Sequence, residues 1–130
     1  FRAPNSIYNP SKEKIYKKGK LKLYEWPIPV IPFLKFPIFG TTLMMSPEKV
    51  FDIGLNYYHR KNYPFMFELH GVDLLDVNRD KPPEQIKSIK HPIIKLDFNS
   101  RFKLLEKTII KMKDKIDFLP AKEVVSNVKF

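Results

Sequence analysis

Four prolines interrupt the apolar run from Trp26 to Phe39 and limit what this part of the chain can become. They are Pro27, Pro29, Pro32 and Pro37. Proline has no amide hydrogen for a sheet ladder or a helix interior, and it restricts the residue before it. The run is therefore predicted to be extended and irregular, neither a central strand nor a helix. Such a segment either lines a binding cleft or covers the end of a core, and both readings stay open.

The size and composition of the chain narrow its class. With 130 residues it matches one domain, or one piece of a domain, that can bury a core without disulfides. It has no cysteine, which excludes thiolate metal sites and cysteine chemistry. No stretch approaches the roughly 18 uninterrupted apolar residues of a membrane span. The chain opens on Phe1 rather than Met, which suggests a processed or partial product.

The formal net charge is +10, which raises the question of an anionic partner. The lysines are spread over residues 12–22, 81–95 and 103–115, and in the last segment they alternate with Glu and Asp. We interpret them as a solvated surface, with a groove for phosphate or an acidic polymer as the alternative. No aromatic RNA platform, zinc finger or helix-turn-helix pattern is found, so nucleic acid is not an expected partner.

Alternating and periodic patterns predict an α/β arrangement. Strands are expected at residues 20–26, 43–45, 64–70 and 117–120. In the third of these, Phe65, Phe67 and Leu69 share one face, and Met66, Glu68 and His70 share the other.

Helices are expected at 47–60, from about 100 to 116, and at 121–126. Ser46 is the expected N-cap of the first helix, followed by Pro47 at its first position, and Asn99 or Ser100 is the expected cap of the second. The predicted core faces are Val50, Ile53, Gly54 and Tyr57 in the first, and Phe102, Leu105, Ile109, Met112 and Ile116 in the second.

His70 is the first candidate for chemistry, because it ends the predicted strand 64–70 beside Gly71 and within reach of Asp73. Side chains at the carboxyl ends of strands form the sites of many α/β proteins. A histidine satisfied by its neighbours is an equal alternative. His59 is expected to lie near the C-terminal end of a helix, where a histidine interacts favourably with the negative end of the helix dipole. His91 is expected to be exposed to solvent.

Several motifs are similar to those of the polysaccharide deacetylases, also called the NodB homology domain or carbohydrate esterase family four. Arg2 and its neighbours resemble the arginine motif of that family, and Phe67-Glu68-Leu69-His70 resembles its histidine motif. The segments that follow the family order are Tyr24-Glu25-Trp26-Pro27-Ile28-Pro29, Phe39-Gly40-Thr41-Thr42, Gly71-Val72-Asp73-Leu74 and Phe118-Leu119-Pro120-Ala121-Lys122-Glu123.

The resemblance implies that residues 1–130 are the C-terminal part of a single catalytic domain. That domain would be a distorted β/α barrel to which this chain contributes the later strands and helices, with the N-terminal half missing. The implied activity is metal-dependent hydrolysis of the N-acetyl or N-formyl group of an amino sugar, in a polysaccharide or a lipid-linked glycan. A carbohydrate is the implied partner, a membrane-surface or lipid-linked substrate is an option, and the expected compartment is the cytoplasm.

The resemblance also implies roles for individual residues. His70 would protonate the departing amine as general acid, and Arg2 would hold a catalytic Asp in its ionised form. Glu68, at the acyl pocket, together with Trp26, Gly40 and Asp73, is the expected set of substrate contacts. The alternative for Glu68 is an ion pair with a neighbouring lysine. The alternative for Trp26 is a packed position in the core.

The chain departs from the family pattern in two ways. The divalent metal, expected to be zinc, would be held by an Asp and two His that this chain lacks, so the chain alone is expected to be inactive. Only residues 5–19 separate the arginine motif from the Trp26 region, where the family usually has a helix and a strand. The alternative is a non-catalytic module, derived from this fold, that binds carbohydrate or an anionic surface.

Overall fold

The computed structural model describes residues 3–32, 34–87 and 92–127, so Arg2 and His91 lie outside the described residues. The helices are α1 Gly40–Met45, α2 Glu48–Lys61, α3 Glu84–Lys87, α4 Phe98–Lys113 and α5 Ala121–Asn127. The strands are β1 Val30–Ile31 and β2 Phe36–Pro37, and 3-10 helices span Gly71–Leu74 and Pro92–Lys95.

The proline-rich segment forms a small antiparallel sheet of two strands. Val30 lies opposite Pro37 and Ile31 opposite Phe36. The remainder of the segment is extended and irregular, as predicted, because prolines leave few amides for a longer ladder. Ile31 and Ile38 are buried beneath α2, so the segment covers one end of the core.

The strand predicted at residues 20–26 is wrong. Only Glu25 pairs there, in an isolated bridge with Tyr8. The side-chain amide of Asn9 donates to the carbonyl oxygens of Leu21 (3.2 Å) and Leu23 (3.0 Å). These carbonyls are therefore used by a side chain rather than by a neighbouring strand.

The strand predicted at residues 43–45 is also wrong, because these residues belong to α1. The Thr42 hydroxyl accepts the amide of Phe39 at 3.0 Å and donates to the carbonyl of Pro37 at 3.0 Å, which closes the first turn of the helix. Residues 64–70 and 117–120 have no partner strand within the described parts of the chain, so neither forms a strand here.

Helix α2 confirms the helix predicted at 47–60, but its details differ. Ser46 does not cap it, because the Ser46 hydroxyl donates to the carbonyl of Thr42 in the preceding helix. The buried residues are Phe51, Gly54, Leu55 and Tyr58, so only Gly54 of the predicted core face is fully buried, and Ile53 is exposed. His59 lies in the last turn, as predicted.

Helix α4 confirms the second long helix, and Asp97 rather than Asn99 or Ser100 caps it. The Asp97 carboxylate accepts the amide of Ser100 at 2.8 Å, and this hydrogen bond lowers the pKa of that carboxyl. The buried face consists of Arg101, Leu105, Thr108 and Met112, whereas Phe102 is exposed. Helix α5 confirms the helix predicted at 121–126.

The core lies where α1, α2 and α4 meet, and two ion pairs join α2 to α4. Lys107 pairs with Glu48 at 2.7 Å, and Lys111 pairs with Asp52 at 2.6 Å. Since each helix advances by four residues between the pairs, α2 and α4 run in the same direction along this contact. The core side chains are Ile31, Ile38, Leu43, Phe51, Leu55, Tyr58 and Met112, with Met44, Ile93 and Leu105 in a second cluster.

Most of the regular secondary structure among the described residues is helical, with one two-stranded sheet. The later strands of a β/α barrel therefore stay a prediction. No helix among the described residues is both long and apolar enough to cross a bilayer.

Candidate functional site

An extended segment, residues 63–70, leads to His70 and is held on the surface of α2 by aromatic contacts. The ring of Phe51 in α2 meets Phe65 edge-on at 6.1 Å and Phe67 at 5.6 Å. The ring of Tyr58 meets Phe65 at 5.4 Å. Edge-to-face pairs of this kind add about 0.5–1.5 kcal/mol each beyond area burial. The core thus fixes the direction in which the chain reaches His70.

The amino end of α1 lies directly against this segment. The amide of Gly40 donates to the carbonyl of Glu68 at 2.8 Å. A Cβ atom at position 40 would lie 2.7 Å from Oδ2 of Asp73 and 2.5 Å from Cδ2 of Leu69. Only glycine permits this approach without a shift of the neighbours. Gly40 therefore brings α1 against the segment that carries Glu68 and His70.

Asp73 is fully buried and joins α1 to the His70 turn. Its Oδ1 accepts the hydroxyl of Thr41 at 2.7 Å, and its Oδ2 accepts the amide of His70 at 2.8 Å. A buried carboxylate is costly unless hydrogen bonds compensate for lost hydration, and both oxygens have a donor here. Asp73 therefore orders the backbone at His70 instead of facing a substrate.

The imidazole of His70 is half exposed, with 49% of its side chain accessible. Its Nδ1 lies 3.4 Å from Thr41 Oγ1 and 3.8 Å from Asp73 Oδ2. Because the Thr41 hydroxyl donates to Asp73, it can only accept from His70. A hydrogen bond between these two atoms therefore requires the proton on Nδ1, and Nε2 lies on the Glu68 side of the ring.

Glu68 and Phe39 flank the outward part of the ring. Glu68 Oε1 lies 3.9 Å from His70 Nε2, and its side chain is 41% accessible. Phe39 meets the imidazole edge-on, with ring centroids 5.4 Å apart. When protonated, His70 forms ion pairs with carboxylates on both sides. The site therefore presents one imidazole nitrogen beside a carboxylate at the protein surface.

Arg101 supports the site from below. This side chain is 3% exposed and projects from α4 under the turn that follows His70. Its guanidinium donates to the carbonyls of Asp73 (2.8 Å), Leu75 (2.7 Å) and Val72 (3.2 Å). It also lies over the ring of Phe98, 5.7 Å from the centroid. The 3-10 helix Gly71–Leu74 is thus tied to α4 by a buried cation.

The structure brings together four of the six residues that the sequence nominated. They are Gly40, Glu68, His70 and Asp73. Arg2 lies outside the described residues. Trp26 is partly buried, and its Nε1 is buried without a hydrogen-bond partner among the described residues. No contact of Trp26 with this group is observed within the described chain.

Sequence reasoning missed Thr41 and Arg101. Thr41 follows Gly40 directly, so the motif already contained it, but its role depends on a long-range bond to Asp73. Arg101 lies four positions before Leu105, on the same face of the helix as the predicted core residues Leu105 and Met112. A basic residue within an otherwise apolar helical stripe is the signal that could have identified it.

The metal implied by the family resemblance does not fit these residues. No group of three His, Cys, Asp or Glu side chains suited to a metal occurs among the described residues. Asp73 is already occupied by two hydrogen bonds, and His70 directs only one nitrogen outward. No step is therefore routed through a metal held by this group.

Comparison with known proteins adds no relative: no family model, curated protein or solved structure matches this chain.

Proposed function

We propose that this chain provides the proton-donating side of a site that hydrolyses the N-acyl group of an amino sugar. The acyl group is acetyl or formyl, and the sugar belongs to a polysaccharide or a lipid-linked glycan. The orientation of His70 is the single observation that supports this best. Its Nδ1 faces Thr41 and buried Asp73, and its Nε2 faces outward beside Glu68.

The chemistry requires a proton donor at the leaving nitrogen. Water adds to the acyl carbon, the C–N bond breaks, and the nitrogen takes a proton from His70 Nε2, giving a free amine and acetate or formate. An amide anion is a poor leaving group, and a positioned general acid contributes roughly 10²–10⁴-fold to such a step. Histidine suits this task because its charge changes near neutral pH.

The remaining roles are assigned by the family resemblance. An Asp that takes the proton of the attacking water, and the ligands of the divalent metal, are proposed to lie outside residues 1–130. Arg2 is proposed to orient that Asp, and Trp26 to contact the sugar. Gly40 and Asp73 are proposed to act by positioning His70, because their polar groups already bond within the protein.

Glu68 is the proposed substrate contact of this chain. Its carboxylate lies on the outward side of the imidazole, 3.9 Å from Nε2. A carboxylate there can accept a hydrogen bond from the substrate amide N–H or from a neighbouring sugar hydroxyl. It makes the acyl pocket polar and small, which favours formyl over acetyl.

The test measures the release of acetate and formate from N-acetyl and N-formyl amino-sugar oligomers. The complete polypeptide that carries this chain is assayed with a divalent metal, together with its His70→Ala variant. Turnover is expected to fall by roughly 10²–10⁴-fold in the variant, with little change in substrate binding. His59→Ala, at the exposed end of α2, is the matched control and is expected to match the parent. Parental turnover in His70→Ala, or no release by the parent, would contradict the proposal.

A further inference from the structure

The loop formed by residues 11–25 concentrates positive charge. Its six lysines are Lys12, Lys14, Lys17, Lys18, Lys20 and Lys22, against the two acidic residues Glu13 and Glu25, which leaves a net charge of +4. All six are exposed. No ion pair of any of them is found among the described residues, whereas Lys107 and Lys111 of α4 are paired with acidic residues of α2. The charge of this basic loop is therefore not neutralised within the described chain.

The basic loop has a defined shape. The amide of Ser11 donates to Lys17 O at 2.8 Å, and the amide of Gly19 donates to Asn9 O at 2.7 Å. An isolated bridge between Pro10 and Lys18 closes the same turn. A Cβ on Gly19 would collide with the backbone of Ser11, so glycine is required for this approach. The lysines are thus presented on a folded surface loop.

Apolar side chains project from the same loop. Ile15 is 69% exposed and Leu23 is 50% exposed. The Tyr8 hydroxyl donates to Ile15 O at 2.8 Å, and the Asn9 amide donates to Leu23 O at 3.0 Å. Because Tyr8 and Asn9 are adjacent, these bonds hold the two arms of the loop close together. The basic loop therefore presents two exposed aliphatic side chains beside its lysines.

A cavity of about 380 Å³ opens on this surface. It is lined by Asn9, Gly19, Lys20, Leu21, Lys22 and Tyr24. Two lysines at its wall and a partly exposed tyrosine provide cationic and amphipathic groups side by side. This combination suits a phosphate headgroup with acyl chains nearby.

We propose that the basic loop binds the surface of an anionic lipid bilayer, with Ile15 and Leu23 entering the interfacial region. Each lysine near such a surface contributes about 1 kcal/mol to the free energy of membrane binding, and burial of apolar side chains contributes further. Nucleic acid fits less well, because exposed aliphatic side chains gain nothing from phosphates and residues 11–25 contain no arginine. Lipid binding by the basic loop does not depend on the chemistry of His70.

The test is sedimentation of the complete protein with lipid vesicles. One set contains phosphatidylcholine alone, and the other contains phosphatidylcholine and phosphatidylglycerol in equal parts. The protein is expected to bind only the second set, with affinity that falls as salt rises. Binding of equal strength to both sets would overturn the proposal.

Two variants locate the contact. Replacing Lys17, Lys18, Lys20 and Lys22 with Gln is expected to weaken binding by about 100-fold or more. Replacing four other exposed lysines by Gln removes the same charge and is expected to have a much smaller effect; these are Lys49, Lys61, Lys113 and Lys122. Equal losses in the two variants would overturn the proposal, because net charge alone would then explain binding.

A third variant separates a bilayer from other polyanions. Ile15→Ser with Leu23→Ser leaves the charge unchanged and is expected to weaken vesicle binding by about tenfold or more, since two apolar side chains no longer leave water. Unchanged vesicle binding in this variant, or displacement of the vesicles by stoichiometric duplex DNA, would overturn the proposal. His70→Ala is expected to bind vesicles like the parent, so loss of catalysis and loss of binding are distinguishable.

Discussion

The hydroxyl of Thr41, in the first turn of α1, donates to Oδ1 of Asp73 at 2.7 Å, although the two residues are 32 positions apart. The other oxygen of the same carboxylate accepts the amide of His70. One buried carboxylate therefore fixes α1 against the turn that presents the imidazole. Because Asp73 is fully buried, each of these bonds replaces hydration that the carboxylate has lost.

Thr41→Val is expected to destabilise the protein by about 1.5–3 kcal/mol, because it removes a donor to a buried carboxylate and leaves the side-chain shape nearly unchanged. Thr41→Ser keeps the hydroxyl and is expected to recover most of that loss. Urea denaturation followed by circular dichroism measures both variants. Equal stability of the Val and Ser variants would show that the hydrogen bond contributes nothing.

Arg101→Met is expected to cost more than about 2 kcal/mol of stability. The substitution removes the Arg101 donor from the carbonyls of Asp73 and Leu75 and leaves the carbonyl of Val72 with only the amide of Leu75, at 3.4 Å. A buried polar group left unpaired costs about 1–3 kcal/mol. The control is Arg60→Met at the exposed end of α2, where a change within about 0.5 kcal/mol is expected. Thermal denaturation measures the melting temperature of both variants. Similar decreases in melting temperature would contradict a supporting role for Arg101.

Two glycines near the site allow a matched comparison. Gly40→Ala is expected to cost about 1–3 kcal/mol of stability, because its Cβ would lie 2.7 Å from Oδ2 of Asp73, whose carboxylate is held in place by two hydrogen bonds. Gly71→Ala is expected to be tolerated, since no atom lies within 4 Å of its Cβ position. Chemical denaturation of the two variants provides the measurement. A larger loss in Gly71→Ala would contradict the packing described around Asp73.

The N-cap of α4 makes part of the stability depend on pH. The pKa of Asp97 is lowered in the folded protein by the amide of Ser100. A lowered pKa means that this stabilisation is present above the unfolded pKa of about 3.9 and is lost as pH falls through the folded pKa. The stability difference between the parent and Asp97→Ala is therefore expected to shrink from pH 6 to pH 3. A difference of equal size at both pH values would contradict this assignment.

The sequence predicted the helices better than the strands, for a physical reason. Periodic apolar residues and a nearby capping signal are local features, so α2, α4 and α5 were identified within a few residues. A strand needs a partner, and alternation in residues 20–26 does not reveal that Asn9 will occupy their carbonyl groups. Residues 43–45 are helical for a similar reason, because the Thr42 hydroxyl forms hydrogen bonds with Phe39 and Pro37 at the start of the helix.

The candidate site was predictable in its members but only partly in their roles. Proximity of His70 to Asp73 follows from their spacing along one turn. Gly40 and Thr41 contact this region only in the tertiary structure. The order of the motifs suggested that they belong to one site but did not specify which atoms meet. Arg101 was not predicted, because its burial depends on carbonyl groups that become available only when Val72–Leu75 folds over α4.

The role of His70 as proton donor can be tested by changing the leaving group. An amine needs a proton to depart, whereas 4-nitrophenolate leaves without one. The measurement is the ratio of amide to aryl-ester hydrolysis by the complete protein and by His70→Ala, using an N-acyl amino sugar and 4-nitrophenyl acetate. His70→Ala is expected to lose roughly 10²–10⁴-fold in turnover of the amide and little in turnover of the ester. Equal losses on both substrates, or no loss on the amide, would contradict the role of His70 as proton donor.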